Sequence, residues 1–366
     1  MRVAIDALPL LVRSAGVKNY LYYWISALRQ FAGANRVLTV PSLDLGALNH
    51  EGSSAGRLRT WSALGARALA NYTPLPVLHW QTRGVDVFHA TNLARGRIRS
   101  GVRLTATIHD LTTWTMPQLH ARSNVRADAA FADLLRRADA LITVSECTKN
   151  DAVRFLGLPA EKITVIHSGV APQFFDASAG DVRERYGLKR PFILSVGTIE
   201  PRKNIDGLVR AYRALPQDLQ DEFELVLAGP MGWAGAETAE LVRTVRYLGY
   251  IPERDLPPLT AAASVFAYPS LYEGFGFPVA QAMAAGVPVI TSNVSSLPEV
   301  AGDAAVLVDP RSEAELVKAL ERVLGSAALR AEMAGRGRSR VERFRWELCA
   351  KRSWEFFSND RPPGRS

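Results

Sequence analysis

Tyr268-Pro-Ser-Leu-Tyr-Glu-Gly-Phe-Gly-Phe-Pro-Val-Ala-Gln-Ala-Met-Ala-Ala-Gly-Val-Pro-Val-Ile290 decides the fold. Its punctuation reads as strand, loop, helix, turn, strand. Residues 264–268 are apolar enough for a buried strand, which Pro269 and Ser270 end. Glu273-Gly274-Phe275-Gly276 is a loop whose glycines let bare backbone approach a ligand. Pro278 stands where a first helical residue needs no N–H. Residues 279–285 then read as a short helix stopped by Gly286, and residues 287–291 as the next buried strand. A helix N-terminus after a glycine loop carries about half a positive charge and unpaired N–H donors, which favour phosphate. Glu273 at its mouth suits hydroxyls better than phosphate, so the pair implies a sugar phosphate. The same spacing also serves an ordinary βαβ crossover with glycines for tight packing.

Length and composition bound the rest. A chain of 366 residues, 48% hydrophobic and 22% charged, fits a two-domain globular enzyme. It holds no run of 18 uncharged apolar residues, so no transmembrane helix is expected. Met1-Arg-Val-Ala-Ile-Asp-Ala7 reads as a first buried strand rather than a signal peptide. Cys147 and Cys349 make neither a zinc site nor a disulfide framework, which implies a reducing cytoplasm, and the six histidines lack metal-ligand spacing. The net charge of +8 is uneven: residues 1–174 hold 20 Lys/Arg against 11 Asp/Glu, and residues 175–366 hold 24 against 25. A basic half implies an anionic neighbour such as an anionic membrane surface or a lipid-diphosphate acceptor, unless arginine is simply a common surface residue here. No nucleic-acid recognition motif is present, so nucleic acid is not an expected partner.

Residues 2–11 read as a strand. A loop with Gly16 follows, then a helix whose Tyr20, Leu21, Trp24, Ile25 and Leu28 share a face. Residues 57–72 read as a helix with Leu58, Trp61, Leu64 and Leu69 on or near one face and arginines at its border; such a face packs on a core or lies on a membrane. His89 and His109 fall at the carboxyl ends of strands, where open α/β sheets bind ligands, although a satisfied structural histidine reads the same way. In Thr198-Ile-Glu-Pro-Arg-Lys-Asn204, Arg202 offers a planar fork and Lys203 a point charge, together a diphosphate clamp.

The run Glu273-Gly-Phe-Gly-Phe-Pro to Gly286-Val-Pro-Val resembles the donor-binding signature of the family 4 glycosyltransferases, and Gly197-Thr-x-Glu-Pro-Arg-Lys-Asn204 resembles that family's phosphate-binding loop. The resemblance implies an α/β GT-B fold of two Rossmann-like doubly wound parallel-sheet domains facing each other across a cleft: residues 1–174 on the acceptor side, a linker at 175–190, a donor-binding domain at 191–343, and a last helix at 344–358 crossing back. It implies a retaining, metal-independent hexosyltransferase without cofactor, using a nucleotide sugar. Glu273 would hold the donor sugar and His109 lie close to it. Gly16, Gly274, Phe275 and Gly276 would border the donor, Arg202 and Lys203 its diphosphate, Tyr250 and Ile251 its base. The family has a second glutamate where this chain has Gln281, which keeps an acceptor oxygen for the ribose but loses the charge. The resemblance to bacterial polysaccharide mannosyltransferases points to GDP-mannose, with UDP- and dTDP-sugars open. The expected acceptor is a glycan or lipid-linked oligosaccharide at the inner face of the cytoplasmic membrane. The alternative is a paralogue with impaired donor binding, acting as a non-catalytic partner subunit.

Overall fold

The computed structural model describes residues 1–13, 16–46, 48, 52–53, 55–73, 75–91, 98–120, 122–233 and 235–359, with only the backbone of 122–127. Part of the 42–56 loop and Ser14 and Ala15 before Gly16 therefore lie outside the described residues. The chain separates into two compact units, Met1–Gly169 with Trp346–Ser366, and Val170–Arg345.

The first unit is a parallel sheet in the order β2-β1-β3-β4-β5-β6. Its strands are β1 (Val3–Asp6), β2 (Val37–Val40), β3 (Val87–Ala90), β4 (Arg103–Ile108), β5 (Ala140–Thr143) and β6 (Ile163–Val165). All but β6 are short, almost wholly buried runs, the pattern of a sheet covered on both faces. The strand expected over residues 2–11 stops at Asp6, and Leu8–Leu11 forms a buried 3-10 turn. Asp6 ends it because its carboxylate faces inward: it accepts the Leu8 N–H at 3.3 Å, the Thr91 hydroxyl at 2.5 Å and a bidentate Arg67 guanidinium at 2.6 and 3.2 Å.

Helix α1 (Gly16–Ala32) buries Tyr20, Leu21, Trp24, Ile25 and Leu28, as its apolar spacing predicts. The helix Trp346–Ser358 packs on it, with the Trp24 indole N–H donating to Ser353 Oγ at 2.9 Å. Two further helices lie between β2 and β3: α2 (Arg57–Tyr72) and α3 (Val77–Gln81).

The second unit repeats the plan in the order β12-β11-β10-β7-β8-β9. Its strands are β7 (Phe192–Val196), β8 (Glu224–Ala228), β9 (Arg246–Tyr247), β10 (Val265–Tyr268), β11 (Val289–Ser292) and β12 (Ala305–Val308). Every pairing in both sheets is parallel. One apolar cluster, including Leu208, Val209, Leu225, Val265, Ile290, Leu320 and Val323, packs on this sheet. Order reverses between β7 and β10, the topological switch where open α/β sheets bind ligands at their carboxyl edge.

His89 is a structural residue. It is fully buried on β3, and its two ring nitrogens meet the Thr105 and Thr107 hydroxyls of β4 at 2.9 Å each. Burial, with His109 nearby, pushes its pKa from 6.5 down to about 3. A folded pKa below the unfolded one gives stability that is present above pH 6.5 and lost as pH falls toward 3. Acidifying from pH 7 to about pH 4.5 should therefore cost the first unit about 2–3 kcal/mol through His89 alone. Urea midpoints at the two pH values read this loss, and His89→Gln should flatten it.

Candidate active site

In the second unit the strand-loop-helix stretch forms as β10, a loop, and a helix at Phe277–Ala284. The helix begins one residue before Pro278, and Gly276 caps it in the left-handed region at φ +96°. A Cβ there would also lie 2.7 Å from Leu297 Cδ2, so this glycine has a packing reason of its own. Phe275 turns inward, edge-on to Phe277 at 5.3 Å and Phe344 at 5.4 Å, and Gly274 is buried.

Glu273 is the centre of a buried ion network. Its Oε1 lies 2.6 Å from Lys203 Nζ and accepts from Tyr268 Oη at 2.9 Å and Ser270 Oγ at 2.7 Å. Its Oε2 lies 2.8 Å from Arg202 Nη1, a nitrogen that also donates to the Tyr272 carbonyl. Arg202 Nη2 reaches Glu200 Oε1 at 2.6 Å. Lys203 Nζ donates to Tyr268 Oη at 2.5 Å as well. Burial alone would raise the Glu273 pKa, but Arg202 and Lys203, with hydrogen bonds from Lys203 and Ser270, hold it at about 2.

The backbone of Glu273 is held equally firmly. Its N–H donates to Ser295 Oγ at 3.0 Å, and its carbonyl accepts from Ser296 Oγ at 2.9 Å. Ser295 sits at φ +56°, a left-handed conformation that costs a non-glycine residue about 1 kcal/mol or more and marks functional sites. On the other side, the Leu271 N–H donates to the Arg202 carbonyl at 2.8 Å, and Ser270 Oγ lies 3.0 Å from the same oxygen. The two signature stretches, around residues 197–204 and 268–286, thus become one site at the carboxyl edge of β7 and β10.

Gly229, after β8, locks the neighbouring strand ends: at φ +136°, a Cβ would fall 2.0 Å from the Gly197 carbonyl oxygen. Its N–H donates to the Gly249 carbonyl at 2.7 Å. This fixes the turn after β9, where Tyr250 is 42% exposed and Ile251 is buried. Gln281 is half-buried on the helix Phe277–Ala284.

In the first unit His109 follows the carboxyl end of β4. Its ring meets Tyr20 edge-on at 4.7 Å, and burial, opposed by Asp110, pushes its pKa down to about 4, so it is neutral at physiological pH. Gly16 opens α1, and nothing among the described residues lies within 4 Å of a Cβ placed there. Among the described residues no group of three or more His, Cys, Asp or Glu is arranged to hold a metal ion.

Arg202 and Lys203, read as a phosphate clamp, are each bound directly to Glu273, read separately as a sugar holder. Tyr268, Ser270, Glu200, Ser295 and Ser296 are further members that sequence reasoning passed over. Tyr268 and Ser270 lay inside the decisive stretch, but read there as a strand residue and a strand terminator.

Residues 181–340 match the family described as Glycosyl transferases group 1, and residues 14–174 match Glycosyltransferase Family 4. The O-antigen chain mannosyltransferase B of Escherichia coli is 33% identical over 344 residues, spanning 89% of this chain and 88% of that protein. Sucrose-phosphate synthase from Thermosynechococcus elongatus superposes with a TM-score of 0.73 at 22% identity, covering 98% of each chain. HepE of Anabaena, solved in complex with UDP-glucose, gives a TM-score of 0.70 at 18% identity over 98% of this chain and 99% of that one. These likenesses give the GT-B fold that the two parallel sheets imply.

Proposed function

Because the chain belongs to the group 1, family 4 glycosyltransferases, we propose that it moves mannose from GDP-mannose onto a glycan or lipid-linked oligosaccharide of a bacterial polysaccharide, in the cytoplasm and with retention of anomeric configuration. The observation that carries this reading is the Arg202–Glu273–Lys203 network at the carboxyl edge of the second sheet. The name of the Escherichia coli relative supports mannose and an O-antigen chain; the UDP-glucose complex of HepE supports a nucleotide-sugar donor.

In this reading Arg202 and Lys203 balance the charge that develops on the departing diphosphate, which is electrostatic stabilisation supplied by side chains fixed in advance. Their ion pairs with Glu273 hold both cations in place before donor binds, so little reorganisation is needed at the moment of bond cleavage. Glu273, kept ionised, accepts hydrogen bonds from the sugar hydroxyls. The acceptor hydroxyl attacks from the face the diphosphate leaves and passes its proton to the leaving phosphate, without a metal.

Thermal shift against GDP, UDP, dTDP and ADP, each with and without its sugar and in EDTA, tests the donor. A ligand at about 100 times its dissociation constant adds about 2.7 kcal/mol to the folded state. A shift with GDP and GDP-mannose is the expected result; a shift only with another nucleotide would replace the donor, and an inverted product anomer on NMR would end the retaining mechanism.

Gln281 supports one second reading, a partner subunit with weakened donor binding. An amide in place of a carboxylate loses about 1 kcal/mol against ribose hydroxyls, so Gln281→Glu should raise GDP affinity about fivefold. Wild-type protein that binds no nucleotide, with binding restored by Gln281→Glu, would favour the subunit over the enzyme.

A further inference from the structure

Helix α2 wears its apolar side outward. At 3.6 residues per turn, Leu58, Trp61, Gly65, Leu69 and Tyr72 fall within about 80° of one another. Leu58, Trp61, Leu69 and Tyr72 are between 46% and 88% exposed. Diametrically opposite lies Arg67, buried and gripped by Asp6. The core side of the helix is thus held by an ion pair and by Ala70, and its large apolar groups face solvent. Leu75 and Trp80, just beyond it, are 49% and 64% exposed and extend the patch.

The charge around this patch has one sign. Arg57 and Arg59 flank the apolar stripe on its two sides, and Arg83 follows α3; all three are exposed. No Asp or Glu occurs between Glu51 and Asp86. An apolar stripe with tryptophan, bordered by arginines, is the composition of a helix that lies in the plane of an anionic membrane, whereas a second copy stacked on the same face would set arginines against arginines. No helix among the described residues is long and apolar enough to cross a membrane.

We propose that α2 and α3 dock the protein flat on an anionic lipid surface, with Leu58, Trp61, Tyr72 and Trp80 in the headgroup–acyl boundary and Arg57, Arg59 and Arg83 on lipid phosphates. Asp6 is the last residue of β1 and Thr91 follows β3, so Arg67 ties α2 to the carboxyl edge of the first sheet. His109 follows β4 at that same edge. Docking through α2 therefore presents this edge to the membrane surface, where a lipid-linked acceptor carries its sugar. The docking itself stands independently of which sugar is transferred.

The test is cosedimentation of the full chain with vesicles of phosphatidylcholine plus phosphatidylglycerol, against phosphatidylcholine alone. Wild type should pellet with the anionic vesicles at low salt, with Trp61 emission shifted to the blue. Arg57→Gln/Arg59→Gln should weaken binding about fivefold per arginine, and Leu58→Gln/Trp61→Gln/Tyr72→Gln by at least about tenfold. Both variants should keep the wild-type thermal shift with nucleotide, so loss of docking and loss of donor binding read out separately. Wild type remaining in the supernatant, or both variants pelleting like wild type, would overturn the proposal. So would a wild-type dimer in solution that the apolar variant converts to monomer, which would seat a second copy on this face.

Discussion

Glu273→Ala is expected to cost the second unit about 3–5 kcal/mol, because it leaves the buried Lys203 cation, with the half-buried Arg202 beside it, without their shared anion. Lys203→Ala should cost less, since Arg202, Ser270 and Tyr268 still satisfy the carboxylate. Urea unfolding of the two single variants and the double variant forms a cycle in which the coupling should reach about 1–3 kcal/mol. A coupling near zero would mean that Glu273 is held by its hydrogen bonds and not by the cations. Catalysis should separate the same residues differently. Lys203→Ala should lower kcat about 10²–10³-fold with KM little changed, the loss typical of one fixed group aimed at developing charge. The acid limb of stability carries a third signature. The Glu273 pKa falls from 4.5 in the unfolded chain to about 2 in the fold. Its contribution, about 3 kcal/mol, is therefore complete above pH 4.5 and lost as pH falls through 2. Glu273→Gln should lack that limb.

Local pattern carried the fold because its elements are locally coded. The helix after Gly16 buries Tyr20, Leu21, Trp24, Ile25 and Leu28 where their spacing places them, and the strand Val265–Tyr268 falls within the apolar run at 264–268. The helix Ala327–Val341 passed unread: its Gly335, Gly337 and four arginines hide a weak apolar face. Within the site, Arg202, Lys203 and Glu273 were legible as residues of a known pattern, but their mutual binding was not, because it joins positions 70 apart through two strand ends. Ser295 shows the same limit: nothing local announces that a serine at φ +56° will anchor the Glu273 backbone from 22 residues away. Helices α1 and α2 show a different one. Both have aromatic and aliphatic residues at helical spacing, yet α1 buries its stripe and α2 exposes it. Periodicity reports that a face exists; which face turns inward depends on a partner elsewhere in the chain.

For α2 that partner is Asp6, and Asp6→Ala is the second large effect expected. Arg67 is 6% exposed and its guanidinium is bidentate on a carboxylate that is wholly buried. Removing the carboxylate leaves an uncompensated charge in the interior, a loss of about 3–5 kcal/mol. The reverse change, Arg67→Met, should cost less, because the Thr91 hydroxyl and the Leu8 N–H still serve Asp6 and a methionine fills most of the vacated space. Asp6→Leu/Arg67→Met should fall nearest to wild type, since a desolvated pair contributes little more than apolar groups of similar volume. Urea midpoints order the three. Hydrogen exchange then locates the loss. In Arg67→Met, amides of residues 57–72 should exchange faster while those of α1 hold, because α1 is kept by its own buried stripe and α2 buries only Ala70 besides its anchor. Equal acceleration in both helices would show that the ion pair supports the whole sheet edge and not the orientation of α2. That orientation is what keeps Leu58, Trp61 and Tyr72 in solvent: a helix free to roll would turn its apolar face to the core, and the surface we assign to the membrane would close.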